Sequence, residues 1–121
     1  MAQIPSKIRH ALNQYVRSLH EHGVRPQRIF LYGSYAKNRA HADSDIDLIV
    51  VSEDLVGKDL LERLRMLGGA SNDVSESVQA YGFTPEEMEK RDMSAFWEEM
   101  LETEAIDISD ELRISENAQV N

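Results

Sequence analysis

At 121 residues the chain is long enough for one domain with a hydrophobic core but too short for a separate substrate domain. We expect a partner or a second copy to supply the missing substrate-binding surface. The chain has no cysteine, which excludes disulfides and thiolate zinc sites. It has neither a signal-peptide core nor an apolar run near the roughly 18 residues of a membrane span, which predicts a cytoplasmic protein. The net charge of −9 is concentrated in residues 53–121, with eighteen acidic and six basic residues, and it argues against nucleic-acid binding by this chain alone.

The first predicted element is an amphipathic helix. Apolar residues from Ile4 to Leu19 fall on one helical stripe, Pro5 or Ser6 can begin the helix, and Gly23 can end it. We expect this helix to cover one face of a sheet.

A strand and a Gly-Ser turn follow. The apolar run from Ile29 to Tyr32 stops at Gly33, which predicts a buried strand ended by a residue that is free to adopt unusual backbone angles. Ser34 then suits the N-cap of a short helix. Such a turn leaves backbone N–H groups and a hydroxyl directed at one spot, which is a place to hold phosphate.

Two acids lie on the next predicted strand. Asp45 and Asp47 alternate with Ile46 and Leu48, so both carboxylates share one face of the strand. They repel each other, and a divalent cation would neutralise them. Beside a phosphate-holding turn, this predicts metal-assisted phosphoryl or nucleotidyl transfer. The plainer alternative is a solvated edge strand next to an ordinary turn.

The motif formed by GSYAK at 33–37 and, seven residues later, DIDL at 45–48 resembles the signature of the minimal nucleotidyltransferases, small members of the polymerase-beta superfamily. The resemblance implies that ATP is the substrate and that two Mg²⁺ ions take part. It also implies that Asp45 and Asp47 are catalytic and ligate the metal. The residues that it implies for nucleotide binding are Gly33, Ser34, Lys37 and Ser44.

One position departs from that family's pattern. After the basic position, filled here by Lys37, the family commonly has glycine, whereas this chain has Asn38. Asparagine tolerates left-handed backbone angles better than most residues, so we expect the turn to survive.

A helix and a third strand are predicted next. Leucines at helical spacing between 55 and 67 predict a crossover helix that ends at Gly68 and Gly69. The segment 73–83 then alternates, with Val78 on one side and Gln79 on the other, which predicts a strand beside the acid-bearing one.

The resemblance implies a third carboxylate on this strand, and its position is open. Counting back from the following helix places Gln79 opposite Asp45 and Asp47, and an amide can donate one oxygen to a metal but cannot deprotonate a hydroxyl. The nearest acid is Glu76, which alternation places on the apolar side. A bulge that shifts the register by one residue would bring Glu76 to the site instead.

Two helices, a short strand and a tail complete the predicted elements. The sequence Thr84-Pro85-Glu86-Glu87 predicts a capped helix that runs to about Arg91. A second helix, capped by Asp92 or Ser94, carries an apolar stripe that includes Phe96 and Trp97, which we expect to pack in the core. Residues 105–109 can add a last strand, and 110–121 form a polar tail that is expected to fray.

Together these elements predict an α/β domain over residues 1–109, with a small mixed sheet of about four strands and helices packed chiefly on the face opposite the acids. The predicted function is transfer of a nucleoside monophosphate, AMP from ATP, to an acceptor hydroxyl on a partner protein. The resemblance implies a HEPN-domain partner in a toxin–antitoxin module, and a homo-oligomer is an alternative assembly. Two other functions stay open: a catalytically weakened binding module that is antitoxin-like, and transfer to a small molecule.

Overall fold

The computed structural model describes residues 4–114 and has the predicted α/β fold with a mixed four-stranded sheet. Its elements, in chain order, are helix α1 (Ser6–Glu21), strand β1 (Arg28–Tyr32), strand β2 (Ile46–Val51), helix α2 (Leu60–Ser71), strand β3 (Val78–Phe83), helix α3 (Pro85–Lys90), helix α4 (Ala95–Thr103) and strand β4 (Ile106–Asp107). A single 3₁₀ turn, Glu53–Leu55, lies between β2 and α2.

The strand order is β3-β2-β1-β4, and β2 runs antiparallel to β1 but parallel to β3. A parallel pair needs a crossover connection, and α2 supplies it as the sequence predicts. In the register of the sheet, Asp47 is the partner of Tyr32 on one side and of Gln79 on the other. The carboxyl end of β1 therefore meets the amino ends of β2 and β3 at one edge, which we call the site edge.

The main core lies on one face of the sheet, under α1 and α2. The two helices are joined where the buried Tyr15 hydroxyl donates to the Leu67 carbonyl oxygen at 2.8 Å. The strand residues that face them are apolar and buried, because their side chains alternate away from the acids: Ile29, Leu31, Ile46, Leu48, Val50 and Val78. We call this side the core face.

The opposite side, the acid-bearing face, is also partly covered by a helix. Trp97 of α4 packs its ring against Tyr32, Tyr81 and Phe83, at centroid distances of 5.5, 4.8 and 5.9 Å. These three residues share a face with Asp47, as the strand register requires. The sequence analysis placed the helices chiefly on the core face, whereas α4 packs on the acid-bearing face.

Helix α2 does not end at the predicted glycines. It begins at a capping box between Asp59 and Glu62 and continues through Gly68 and Gly69 to Ser71. Leu67 and Ala70, which flank the glycine pair, are both buried, and this packing outweighs the lower helix propensity of glycine.

The remaining boundaries follow local capping signals. Thr84 forms the predicted capping box with Glu87, and Ser94 rather than Asp92 caps α4. Phe96, expected in the core, is 60% exposed. Strand β3 begins only at Val78, five residues later than predicted.

The core extends beyond residue 109. Leu112 and Ile114, which the sequence analysis assigned to the tail, are buried within the main core. Residues 115–121 of the predicted tail lie outside the described part of the chain, as do residues 1–3. None of the helices between residues 4 and 114 combines the length and apolarity that crossing a bilayer requires.

Candidate functional site

The Gly-Ser turn stands at the site edge, and its glycine is required by the geometry. Gly33 has φ +73°, a conformation that side chains rarely adopt. A Cβ added to Gly33 would also collide with the Asp47 carboxylate. The turn and the second acid are therefore packed directly together.

The segment after Gly33 is a series of turns and not the predicted helix. The N–H groups of Ala36 and Lys37 both donate to the Gly33 carbonyl oxygen, at 3.1 and 3.2 Å. The N–H groups of Ser34 and Tyr35 donate to no backbone carbonyl in the described chain, so they are available to an anion. Ser34 is thus not an N-cap, but the turn still presents the donors that were expected from one.

The arm between the turn and the acids, residues 38–44, is held by hydrogen bonds between residues close in sequence. Asn38 has φ +57°, so asparagine adopts the left-handed conformation expected of it. The Ser44 hydroxyl accepts a hydrogen bond from the His41 N–H at 2.9 Å, and the Ser44 N–H donates to the His41 carbonyl at 3.0 Å. Ser44 therefore fixes the chain immediately before Asp45.

Asp45, the residue before β2, is held by two neutral donors. The Ser77 hydroxyl donates to Oδ1 at 2.6 Å, and the Gln79 amide donates to Oδ2 at 3.1 Å. The Ile46 N–H also donates to the Ser77 carbonyl at 2.8 Å, which joins the start of β2 to the start of β3. Both oxygens of Asp45 are thus oriented by the neighbouring strand.

Asp47 has a different environment. Burial raises the pKa of this carboxyl group, and the negative charge of Asp45 raises it further. Across the sheet, burial and then the charges of Asp47 and Tyr81 raise the pKa of Tyr32 to about 12, so its hydroxyl stays protonated. Among residues 4–114, no basic side chain forms an ion pair with Asp45 or Asp47.

The two candidates for the third position are separated by the sheet. Gln79 stands beside Asp47 in the register and bonds Asp45. Glu76 instead pairs with Lys7 of α1 at 3.5 Å, and only 19% of its side chain is exposed. The site edge therefore gathers two carboxylates and an amide, and the described residues contain no cluster of three acidic, histidine or cysteine side chains around a metal-sized space.

This donor set fits magnesium bound together with a nucleotide. Mg²⁺ prefers hard oxygen ligands and is commonly bound by one or two carboxylates plus substrate phosphates. Asp45 and Asp47 can supply the carboxylates, and Asp47 packs against Gly33 of the turn that carries the free Ser34 and Tyr35 N–H groups. The arrangement can hold a phosphate–metal pair.

The sequence analysis did not identify two residues that contact the predicted site residues, Ser77 and Glu104. Ser77 directly precedes β3 and falls on the same side of the alternating segment 73–83 as Gln79, so the alternation pattern contained a signal for its contact with Asp45. Glu104 lies at the end of α4 and forms an ion pair with Lys37. No sequence signal indicates that pair, because it depends on where α4 packs.

Known proteins resemble the chain in both sequence pattern and fold. The family model described as "Nucleotidyltransferase domain" matches residues 10–114. A crystal structure described as a toxin-antitoxin with AMP-PNP is 20% identical, with a TM-score of 0.54, over 79% of this chain and 70% of that chain. A protein of Sulfolobus solfataricus described as a candidate nucleotidyltransferase is 16% identical, with a TM-score of 0.47, over 74% of this chain and 84% of that one. No sequence match was found among the curated proteins.

Proposed function

The chain belongs to the nucleotidyltransferase domain family, and from this premise we propose that it transfers AMP from ATP to an acceptor hydroxyl with the help of magnesium. The observation that carries the proposal is the pair of acids, Asp45 and Asp47, which no described cation neutralises and of which Asp47 packs against the Gly33 turn. A fold that leaves two adjacent charges uncompensated is suited to binding a cationic ligand.

Each part of the site has a role in this proposal. The N–H groups of Ser34 and Tyr35 donate to phosphate oxygens, and Lys37 adds a positive charge from the same turn. Asp45 and Asp47 would hold the metal, Asp45 in an orientation set by its two donors. Magnesium, when bound, neutralises phosphate charge and orients the reacting oxygens.

The reaction itself is a displacement at the α-phosphorus. The acceptor oxygen forms a bond to that phosphorus while the bond to the bridging oxygen breaks, and pyrophosphate leaves. The proton of the acceptor hydroxyl passes to solvent or to a base on the acceptor side, since the Gln79 amide cannot take it.

In this proposal a partner protein supplies the acceptor hydroxyl. The motif GSYAK…DIDL supports the minimal subtype of the family, and with it a HEPN-domain partner in a toxin–antitoxin pair. The fold shared with a structure described as a toxin-antitoxin with AMP-PNP is compatible with that assignment. A homo-oligomer would be the other way to complete the acceptor site.

A second candidate function is favoured by the Gln79 contact. The Gln79 amide donates to Asp45, where a third carboxylate would add charge for a second ion and accept a proton. A site of this composition would bind one metal–nucleotide complex and transfer slowly. The chain would then act as a nucleotide-dependent binding subunit, antitoxin-like in its role.

The test measures ATP binding with and without magnesium by calorimetry, alongside transfer of an α-phosphate label to an added partner. We expect magnesium-dependent ATP binding in the parent and at least about a tenfold loss in the Asp45→Asn/Asp47→Asn double variant. Asp43→Asn is the control, because Asp43 is an exposed acid in the same arm. Equal magnesium-dependent binding in parent and double variant would refute the assignment of the acids. Binding without label transfer to any partner would favour the second function over the first.

A further inference from the structure

Lys37 is the one basic residue of the GSYAK turn, and in the structure it is already engaged. Its ammonium group forms an ion pair with the Glu104 carboxylate at the end of α4. Half of the Lys37 side chain is exposed, whereas only 13% of the Glu104 side chain is. The carboxylate is thus the buried partner, and the lysine is the one that can turn toward a ligand.

Helix α4 contacts the rest of the fold near both of its ends. Near its start, the Trp97 ring packs on Tyr32 and Tyr81 of the acid-bearing face. At its end stands the Lys37–Glu104 pair. No residue of α4 is fully buried, so the helix lies at the surface of the protein. One of its two contacts is made by a residue of the nucleotide-binding turn.

We propose that Glu104 is a positioning residue which competes with the nucleotide triphosphate for Lys37, and so couples nucleotide binding to the position of α4. This inference rests on the proposed function, since it requires a triphosphate at the Gly-Ser turn. When Lys37 moves to a phosphate, Glu104 is left as a poorly solvated charge without its partner. Relief requires the end of α4 to move toward water.

The coupling has a direction that can be measured. Removing the charge of Glu104 frees Lys37 before the nucleotide arrives, so Glu104→Gln should bind ATP about twofold to fivefold more tightly, the range set by a half-exposed ion pair. Glu102→Gln is the matched control, because Glu102 is an exposed acid on the same helix. In a Lys37→Ala background, Glu104→Gln should give no further gain.

A second readout reports on α4 itself. The chain has a single tryptophan, Trp97, and it lies on α4 within the aromatic cluster. ATP with magnesium should therefore change the Trp97 emission of the parent. That change should be much smaller in Glu104→Gln, in which the pair no longer exists to be broken. Thermal unfolding of each variant verifies that it is folded.

The outcomes separate this inference from the function it rests on. If the parent binds no nucleotide, the proposed function fails and the coupling fails with it. If the parent binds ATP but Glu104→Gln binds equally or more weakly, the competition is refuted while the function stands. A gain that persists in the Lys37→Ala background would also refute it, because Glu104 would then act directly on the phosphates. Tighter binding only in the presence of Lys37, together with a reduced Trp97 response, supports it.

Discussion

Two partly buried carboxylates, Glu87 and Asp47, have opposite electrostatic environments. Burial by itself would raise the pKa of Glu87, but hydrogen bonds from Arg63 and Thr84 and the charge of Arg63 outweigh it, so the pKa of Glu87 is lowered. Arg63 donates to both Glu87 oxygens, at 2.7 and 3.2 Å. Asp47 has no such partner among the described residues, and burial followed by the charge of Asp45 raises its pKa.

The difference separates a charge that is paired within the fold from one that we propose to be functional. The Arg63–Glu87 pair joins α2 to α3 and contributes to stability in the chain alone. The Asp45–Asp47 pair costs stability in the chain alone, and that cost is relieved by a bound cation. Stability measurements on four variants test this contrast.

The largest effect is expected when the structural pair is broken. Arg63→Met removes the two bonds to Glu87 and those to the carbonyl oxygens of Lys58 and Gly82. Because only 13% of Arg63 is exposed, we expect the free energy of unfolding in urea to fall by about 3 kcal/mol. Lys90→Met, at an exposed pair with Glu86, should change it by less than about 0.5 kcal/mol.

The pH dependence gives a second check on this pair. Since the folded pKa of Glu87 is lowered, its contribution is present above the ordinary glutamate range and is lost as the pH falls through the folded pKa. The difference in stability between parent and Arg63→Met should therefore shrink at acidic pH, to what the hydrogen bonds from Arg63 to the carbonyl oxygens of Lys58 and Gly82 contribute. A constant difference down to strong acid would show that the ion pair with Glu87 adds nothing to stability.

The next effect concerns the close approach of the turn to Asp47. Gly33→Ala introduces a Cβ at positive φ that collides with the carboxylate, so we expect a loss of about 2 kcal/mol in unfolding free energy and of nucleotide binding. Gly57→Ala has a similar φ, +79°, with no atom within 4 Å of the added Cβ, and should cost about 1 kcal/mol without affecting binding. Equal losses in the two variants would mean that the collision is unimportant.

A smaller effect should follow from adding a third acid. Gln79→Glu replaces a donor to Asp45 by a third negative charge, so the apo protein should lose about 1 kcal/mol of unfolding free energy. Magnesium should restore that loss and bind more tightly than in the parent. Glu76→Gln is the comparison, and its magnesium response should match the parent because Glu76 pairs with Lys7. The reverse result would assign the third position to Glu76.

The smallest effect is a gain. Asp47→Asn removes the charge that burial and Asp45 disfavour, so the apo protein should gain stability at neutral pH, by less than about 1 kcal/mol because solvent still screens this partly buried group. The raised pKa means that the folded parent takes up this proton more readily as the pH falls, so the gain should vanish in acid. Asp45→Asn should bring no gain, since Asp45 accepts two hydrogen bonds.

Local signals in the sequence predicted much of the fold. The helical stripe predicted α1, the apolar run before Gly33 predicted β1, and the alternation of acids with apolar residues predicted the face on which Asp47 lies. The capping box at Thr84 set the start of α3 to the residue. These features depend on residues within about one turn or one strand of each other, so a linear pattern contains them.

Where the local signal was weak, packing set the boundaries. The glycines at 68 and 69 predicted the end of a helix, but α2 continues because the residues around them are buried against the sheet and α1. The polar composition after residue 109 predicted a tail, but Leu112 and Ile114 enter the core. In each case burial of apolar side chains outweighed the local preference, which for a glycine in a helix amounts to about 1 kcal/mol.

Local patterns were enough to identify the motif, its acids and the strand that carries them, because alternation and turn chemistry are short-range. Only the tertiary structure placed Gln79, and not Glu76, beside Asp47, since a parallel register between β2 and β3 is fixed by the crossover through α2 and by the core beneath both strands. It also decided that α4 packs on the acid-bearing face and brings Glu104 to Lys37. The two residues of that pair are 67 positions apart in the chain, so their contact depends on how α4 packs, with Trp97 on the same face as Asp47.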